Sequence, residues 1–166
     1  DALQRFLDHR RDVVTRRCSY ELRKAESQRE LVLGLGMATT DIDAVVKTIR
    51  ESPDTDEART RLMRLSLRGL EDFVRRAGRP EREISAARDH GPFHLSETQA
   101  KAILEMRLSR LTGLERERLA QEYGELSNEI VRLSAILNET KLLMDLIVSE
   151  LRDIKTRYAE PRRTEI

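Results

Sequence analysis

The chain has 166 residues, of which 37% are charged and 4% are aromatic, and it contains no tryptophan. Lys and Arg number 31 and Asp and Glu 30, so no global basic field argues for nucleic-acid binding. This composition favours long, solvent-exposed helices over a thick globular core. No apolar run approaches the length of a membrane span, and we expect no membrane partner.

Cys18 is the only cysteine, so an internal disulfide is impossible and a reducing compartment is expected, namely the cytoplasm. The chain begins at Asp1 without a methionine and is already in a helical pattern. We therefore interpret it as a segment of a longer polypeptide.

Residues 1–35 are predicted to form one long helix, because no proline or glycine interrupts them before Gly34. Gly34 and Gly36 are expected to end this helix, since glycine readily adopts the left-handed conformation of a helix C-terminus. Its apolar residues are sparse, with spacings of seven, four and three. The helix therefore needs a partner along its length.

Short helices follow. Thr39–Asp41 is expected to cap the first of them, and Ser52 with Pro53 has the order typical of the next helix start. The apolar residues fall at helical spacing in three groups: Ile42, Val45, Val46 and Ile49; Ala58, Leu62 and Leu65; and Leu70, Phe73, Val74 and Ala77.

Residues 79–94 are the least regular part, and we expect an exposed loop with at most one short helix. His90 and His94 are four residues apart, but Pro92 lies between them and no third ligand is near. A metal site is therefore not predicted, and solvated loop histidines are the favoured interpretation.

A capping box, Ser96 with Gln99 three residues later, opens the next helix. One face of this helix is apolar. The opposite face carries small or adaptable side chains: Gln99, Ala102, Met106 and Ser109. This second face fits either a contact with another protomer or the cover of a neighbouring short helix, and the pattern does not decide between them.

A second capping box, Thr112 with Glu115, starts the last and longest helix. Apolar residues then alternate at steps of four and three, interrupted only by Thr140, which is typical of a coiled-coil seam. At about 1.5 Å per residue the helix would span about 65–70 Å. Residues 1–35 are its best antiparallel partner, and Asn138 with Thr140 marks the expected bending point. The seam residues are Leu119, Tyr123, Leu126, Ile130, Leu133, Leu137, Met144, Ile147, Leu151, Ile154 and Tyr158.

The predicted fold is therefore all-α, a long antiparallel two-helix coiled coil capped by a small bundle of short helices. Residues 1–36 and 115–160 would form the coiled-coil arms and residues 37–114 the globular knob. Residues 161–166 would lead into the next domain.

No constellation of residues predicts catalysis, a cofactor site or a metal site, because acidic residues lie at i, i+3 and i, i+4 from basic ones and the glycines are scattered. Residues 9–24 carry six cations against two acids, without regular interleaving of aromatic residues, since Tyr20 is the single aromatic residue among them. This stretch fits either phosphate contacts or a solvated helix whose Arg stems lie along the seam. Cys18 fits an inert, partly buried thiol.

Several stretches resemble the gyrase A family of type IIA topoisomerases. Residues 9–17 and 21–25 resemble the start of that family's coiled-coil region. Residues 95–123 and the final residues 162–166 resemble the same family, so that the likeness covers the chain from end to end.

The resemblance implies the coiled-coil region whose knob pairs across a twofold axis to form the exit gate for transported DNA. The gate contact would fall within residues 96–118. The parent complex would include double-stranded DNA and the second gyrase polypeptide, gyrase B, and would use ATP and Mg²⁺, none of it bound by this segment. The expected homodimer contacts are Gln99, Ala102, Met106, Ser109, Arg110, Thr112 and Leu114.

Three alternatives stay open at this point. The first is the same region of the corresponding topoisomerase IV polypeptide. The second is a structural coiled-coil adaptor that recruits other helices, and the third is a nucleic-acid-binding arm formed by residues 9–24.

Overall fold

The computed structural model describes residues 1–106 and 113–161, and of residues 113 and 114 it describes the backbone alone. This part of the chain is all-α, as predicted, and contains no strand. An isolated pair of hydrogen bonds of 2.9 Å joins Leu67 and Phe93. The helices are α1 Ala2–Thr40, α2 Ile42–Arg50, α3 Thr55–Arg64, α4 Leu70–Arg76, α5 Glu81–His90, α6 Glu97–Glu105, α7 Gly113–Asn138 and α8 Thr140–Tyr158.

The chain divides into two compact units. The first, here the hairpin unit, comprises Asp1–Lys24 and Glu129–Ile166, and the second, the bundle unit, comprises Ala25–Asn128. These boundaries differ from the segments expected from the sequence, because residues 25–36 and 115–128 belong to the bundle unit. Both α1 and α7 contribute to both units.

In the hairpin unit α1 runs antiparallel to the α7–α8 segment. Arg10 of α1 pairs with Glu150 at 3.3 Å, whereas Cys18, two turns later, lies close enough to Arg132 for that cation to act on its thiol. A small apolar core fills the space between the helices. Its buried members are Val14, Cys18, Leu133, Ile136, Leu143 and Ile147.

A break separates α7 from α8 at Glu139, whose backbone is extended with φ −119° and ψ 113°. From the sequence we expected at most a kink here. The hydrogen bonds nevertheless continue through the break, from Glu139 N to Ala135 O at 2.9 Å and from Leu143 N to Glu139 O at 3.2 Å. One residue can therefore leave the helix at little cost, next to Asn138, a poor helix former.

The seam residues differ in their surroundings. Of those on α7 and α8, the buried ones are Leu119, Ile130, Leu133 and Ile147. Leu137, Met144 and Leu151 pack at the margin of the hairpin core, whose buried face is centred on Ile136 and Leu143. Tyr123 and Leu126 pack against the bundle core. Ile154 and Tyr158 are 51% and 75% exposed, so the packed part of the stripe stops before them.

The expectation that Gly34 and Gly36 end α1 was wrong, because the helix continues to Thr40. Both glycines are instead points of close approach. A Cβ at Gly34 would lie 2.7 Å from Cβ and Cγ of Gln99, and one at Gly36 would lie 2.2 Å from Cε2 of Phe73. Absent side chains, and not a change of backbone conformation, explain glycine at these positions.

The two helix starts expected next are met only in part. The hydroxyls of Thr39 and Thr40 donate to Gly36 O at 2.7 and 3.0 Å inside α1, so neither caps α2. Asp41, the third residue of the expected cap, is at the N-cap position of α2, but its side chain forms no capping hydrogen bond. Asp54 caps α3 by accepting a hydrogen bond from Glu57 N at 2.8 Å, two residues after the expected Ser52. Acidic and hydroxyl side chains compete for such ends, and local geometry selects among them.

The segment expected to be mainly loop, residues 79–94, contains the ten-residue helix α5. The turn before it is held by Arg79, whose side chain is 5% exposed. Its guanidinium donates to both carboxylate oxygens of Glu83 at 2.8 Å and to Asn128 Oδ1 at 2.6 Å. A Cβ at Gly124 would lie 2.4 Å from Ala77 O. The turn therefore packs directly on α7.

Candidate functional site

The α6 surface is the first part of the candidate site. Ser96 caps α6 as predicted, with its Oγ accepting from Gln99 N at 3.2 Å and Ser96 N donating to Gln99 Oε1 at 2.9 Å. Gln99 is 4% exposed, and its Nε2 donates to Glu30 O at 2.7 Å. From the sequence, Gln99 was expected at a contact between protomers. Its burial within the chain argues against that role, because its side-chain amide already bonds Ser96 N in the cap and Glu30 O in α1.

Ser96→Ala is expected to lower the free energy of unfolding by about 1 kcal/mol, the usual value of a lost N-cap. The change removes the Gln99 N bond and also the bond from Ser96 Oγ to Glu30 Oε1 at 2.8 Å. Urea denaturation followed by circular dichroism measures the loss. Thr98→Ala, at an exposed position of the same first turn, is the matched control, and equal losses in both variants would contradict the capping role.

The helix is shorter than expected, since α6 ends at Glu105 and Met106 is extended with φ −79° and ψ 138°. Ala102 and Met106 are half-buried and keep part of their surface available. The expected contact residues Ser109, Arg110 and Thr112 lie outside the described residues. Leu114 lies in α7, but its side chain is outside the described part.

Met106 lines an open groove of about 380 Å³ in the bundle unit. Val32 and Leu119, which are 2% and 8% exposed, supply apolar walls. A hydrogen bond of 3.3 Å from Gln28 Nε2 to Glu122 Oε1 crosses from α1 to α7. The other lining residues are Leu35, Glu115 and Arg118.

Four of the lining residues were not predicted from the sequence as members of this site: Gln28, Val32, Leu35 and Glu122. Their spacing carried a signal, because the α1 and α7 residues of the groove recur at steps of three and four along each helix. The groove combines an apolar floor with charged and amide groups at its edge. This arrangement suits recognition of another protein surface, in which an apolar centre is surrounded by a polar rim.

Within residues 1–106 and 113–161, no group of three or more His, Cys, Asp and Glu side chains could hold a metal ion. Cys18 is buried, and burial raises the pKa of its thiol above the ordinary value, which disfavours the reactive thiolate. None of the described helices combines the length and apolarity needed to cross a membrane.

The described residues thus form an all-α protein of two compact units, with a half-buried methionine over a groove of mixed polarity on the bundle unit. Residues 1–152 match the model of the family formed by the A subunits of DNA gyrase and topoisomerase IV. The chain belongs to this family.

Curated relatives support the same assignment. The chain is 43% identical to the DNA gyrase A subunit of Pseudomonas aeruginosa, in a match that covers 100% of this chain and 19% of the relative. It is 43% identical to that of Lawsonia intracellularis, with 99% of this chain and 17% of the relative covered. The protein of the same name from Staphylococcus aureus is 41% identical, with coverage of 100% and 16%. The chain therefore spans less than a fifth of the relatives it matches.

Proposed function

We propose that this chain is the segment of a DNA gyrase A subunit that forms the dimeric exit gate. Through this gate the transported DNA segment would leave during ATP-dependent supercoiling. The observation that carries the proposal is the identity of 41–43% to DNA gyrase A subunits across the whole chain. The hairpin of α1 with α7 and α8 would form the arms, expected at 1–36 and 115–160, and residues 37–114 the knob.

In this proposal the gate contact is a homodimer centred on the α6 C-terminus and the groove below Met106. A gate must close firmly and open repeatedly, which suits an interface of modest size and mixed polarity. Ala102 and Met106 would supply apolar contacts, and Glu115, Arg118 and Glu122 would supply polar ones at the edge. Ser109, Arg110, Thr112 and Leu114 remain expected members of the contact.

Met106→Glu tests the gate. We expect the substituted chain to become monomeric, because a carboxylate at the centre of an apolar contact would be buried without a partner. Analytical ultracentrifugation measures the mass, and circular dichroism checks that the helix content persists. Val148→Glu places the same charge on an exposed apolar position of the hairpin unit and should remain dimeric. A dimer mass unchanged by Met106→Glu would contradict the placement of the gate.

The rest of the proposal concerns the parent complex. It would act in the cytoplasm with gyrase B, double-stranded DNA, ATP and Mg²⁺, whose sites would lie in other segments. The corresponding polypeptide of topoisomerase IV is the second candidate, because the matching family model includes both classes. The gyrase names of the relatives favour the first.

A segment exchange separates these two classes. This chain would replace the matching segment in the gyrase A subunit of Pseudomonas aeruginosa, and the complex would be assayed for supercoiling with ATP. We expect supercoiling to be retained and to fall when Met106→Glu is added. A dimeric hybrid that decatenates DNA but does not introduce supercoils would favour the topoisomerase IV assignment.

A further inference from the structure

The outer face of α1 in the hairpin unit carries a regular pattern that the proposed function does not use. Phe6, Val13 and Tyr20 are spaced by seven residues and are 47%, 37% and 60% exposed. Residues seven apart on an α-helix differ by only about 20° in direction. The three side chains therefore form one stripe, which lies away from the buried Val14 and Cys18.

Basic residues occupy every position three or four residues beyond a member of this stripe. His9 and Arg10 follow Phe6, Arg16 and Arg17 follow Val13, and Arg23 and Lys24 follow Tyr20. The pattern is a heptad repeat of one apolar residue and one basic pair, three times in succession. The three acids between Phe6 and Lys24, which are Asp8, Asp12 and Glu21, fall at neither position.

We infer that this stripe, from Phe6 to Lys24, is a docking surface for an amphipathic helix with acidic flanks. The seven-residue period matches the seam of a partner helix, whose apolar residues would cover the exposed side chains. Charge complementarity sets the partner's chemistry. Glu or Asp residues beside its seam would face basic pairs that recur at the same period.

Nucleic acid fits the surface less well. Several of the cations are already neutralised by the chain's own carboxylates: Arg10 and Arg17 both pair with Glu150, and Arg16 lies 3.0 Å from Asp12. Phosphates gain no free energy by covering the apolar side chains, whereas the apolar seam of a helix does gain it by burying them. A second copy of the same stripe would oppose basic pairs to basic pairs, which disfavours self-association.

The charge that remains free lies at one end of the stripe. Arg23 and Lys24 are exposed, and among the described residues neither forms an ion pair. The acidic residues of the partner should therefore be most effective opposite these two. This gives the docking a polarity along α1, with the aromatic Phe6 at one end and the free cations at the other.

A designed peptide tests the inference on the 166-residue chain. The probe is a labelled helix of about 28 residues, long enough for about four heptads, with Leu at its seam and Glu on both flanks, and fluorescence anisotropy measures binding. Val13→Glu and Tyr20→Glu should each weaken binding about tenfold or more, which corresponds to about 1.4 kcal/mol. Val131→Glu and Val148→Glu, at other exposed apolar positions of the same unit, should leave the affinity unchanged.

Charge reversal supplies the specificity control. The double variant R23E/K24E should no longer bind the acidic peptide, and it should bind the same helix with Lys flanks more tightly than the unsubstituted chain does. A proline-interrupted peptide of equal charge should bind the unsubstituted chain at least about tenfold more weakly than the helix. Equal binding of the two peptides, no binding of the acidic helix, or binding of a short DNA duplex in its place would overturn the inference.

Discussion

Gly36→Ala is expected to lower the free energy of unfolding by about 1–3 kcal/mol, the usual cost of overpacking a core. In an open helix the same change would raise it by up to about 1 kcal/mol, because alanine is the better helix former. The change in the free energy of unfolding is expected to have the opposite sign here, because the new Cβ would lie 2.2 and 2.4 Å from Cε2 and Cζ of Phe73. Chemical denaturation followed by circular dichroism measures the change.

The ring of Phe73 has little room to move aside. It is 1% exposed and meets Tyr123 edge to face, with ring centroids 5.4 Å apart. Phe73→Leu removes the ring atoms nearest to position 36, so it should relieve part of the clash. We expect the double variant to be more stable than the sum of the single changes by about 0.5 kcal/mol or more.

A control substitution in the same helix separates the effect of core packing from that of helix propensity. Ser27→Ala changes an exposed position of the same helix and should alter stability only slightly, in the favourable direction. A Gly36→Ala chain that is more stable than the original, or additive effects in the double variant, would show that the core yields to the new methyl group without cost.

The glycines also show what sequence reasoning could and could not establish. The all-α class and the Ser96 cap were predictable, because apolar periodicity and capping are local signals. Gly34 and Gly36 misled the prediction, because a glycine that ends a helix and one that admits a neighbouring side chain look alike in sequence. Only the packing of Gln99 and Phe73 against them distinguishes the two.

The candidate site had the same limit. Met106 could be proposed from the pattern of α6, whereas the groove beneath it combines side chains of α1 and α7 that are far apart in sequence. Gln99 was assigned to the surface because its position matched a face. Its bond to Glu30 O could not be anticipated, since it depends on how α6 meets α1. Periodicity orients a side chain on its helix but does not identify its neighbour.

Arg79 carries the other large expected effect. Arg79→Met is expected to lower the free energy of unfolding by about 2–3 kcal/mol. Removing one partner of a fully buried ion pair costs about 3–5 kcal/mol, but Glu83 retains 31% exposure, so water partly replaces the lost bonds. The substitution keeps an apolar stem and removes the donors to Glu83 and Asn128. Urea denaturation at pH 7 measures the loss.

Two further variants test the geometry of this contact. Arg79→Lys should fall between the original chain and Arg79→Met, because an ammonium keeps the charge but cannot reproduce the planar fork. Arg88→Met, which removes an exposed partner of Glu71, should have a much smaller effect. A loss as large for Arg88→Met as for Arg79→Met would contradict the importance assigned to burial.

The pH dependence gives an independent check. Hydrogen bonds from Arg79 hold the pKa of Glu83 below its ordinary value of 4.5. A depressed pKa in the folded chain means that the stabilisation is complete above the unfolded value and is lost as pH falls through the folded value. The stability difference between the original chain and Arg79→Met should therefore be largest near neutral pH and shrink as the pH drops below about 4.5. Denaturation curves at pH 7, 5 and 3.5 measure this difference, and a constant or widening gap would show that Glu83 does not depend on Arg79 for its charge.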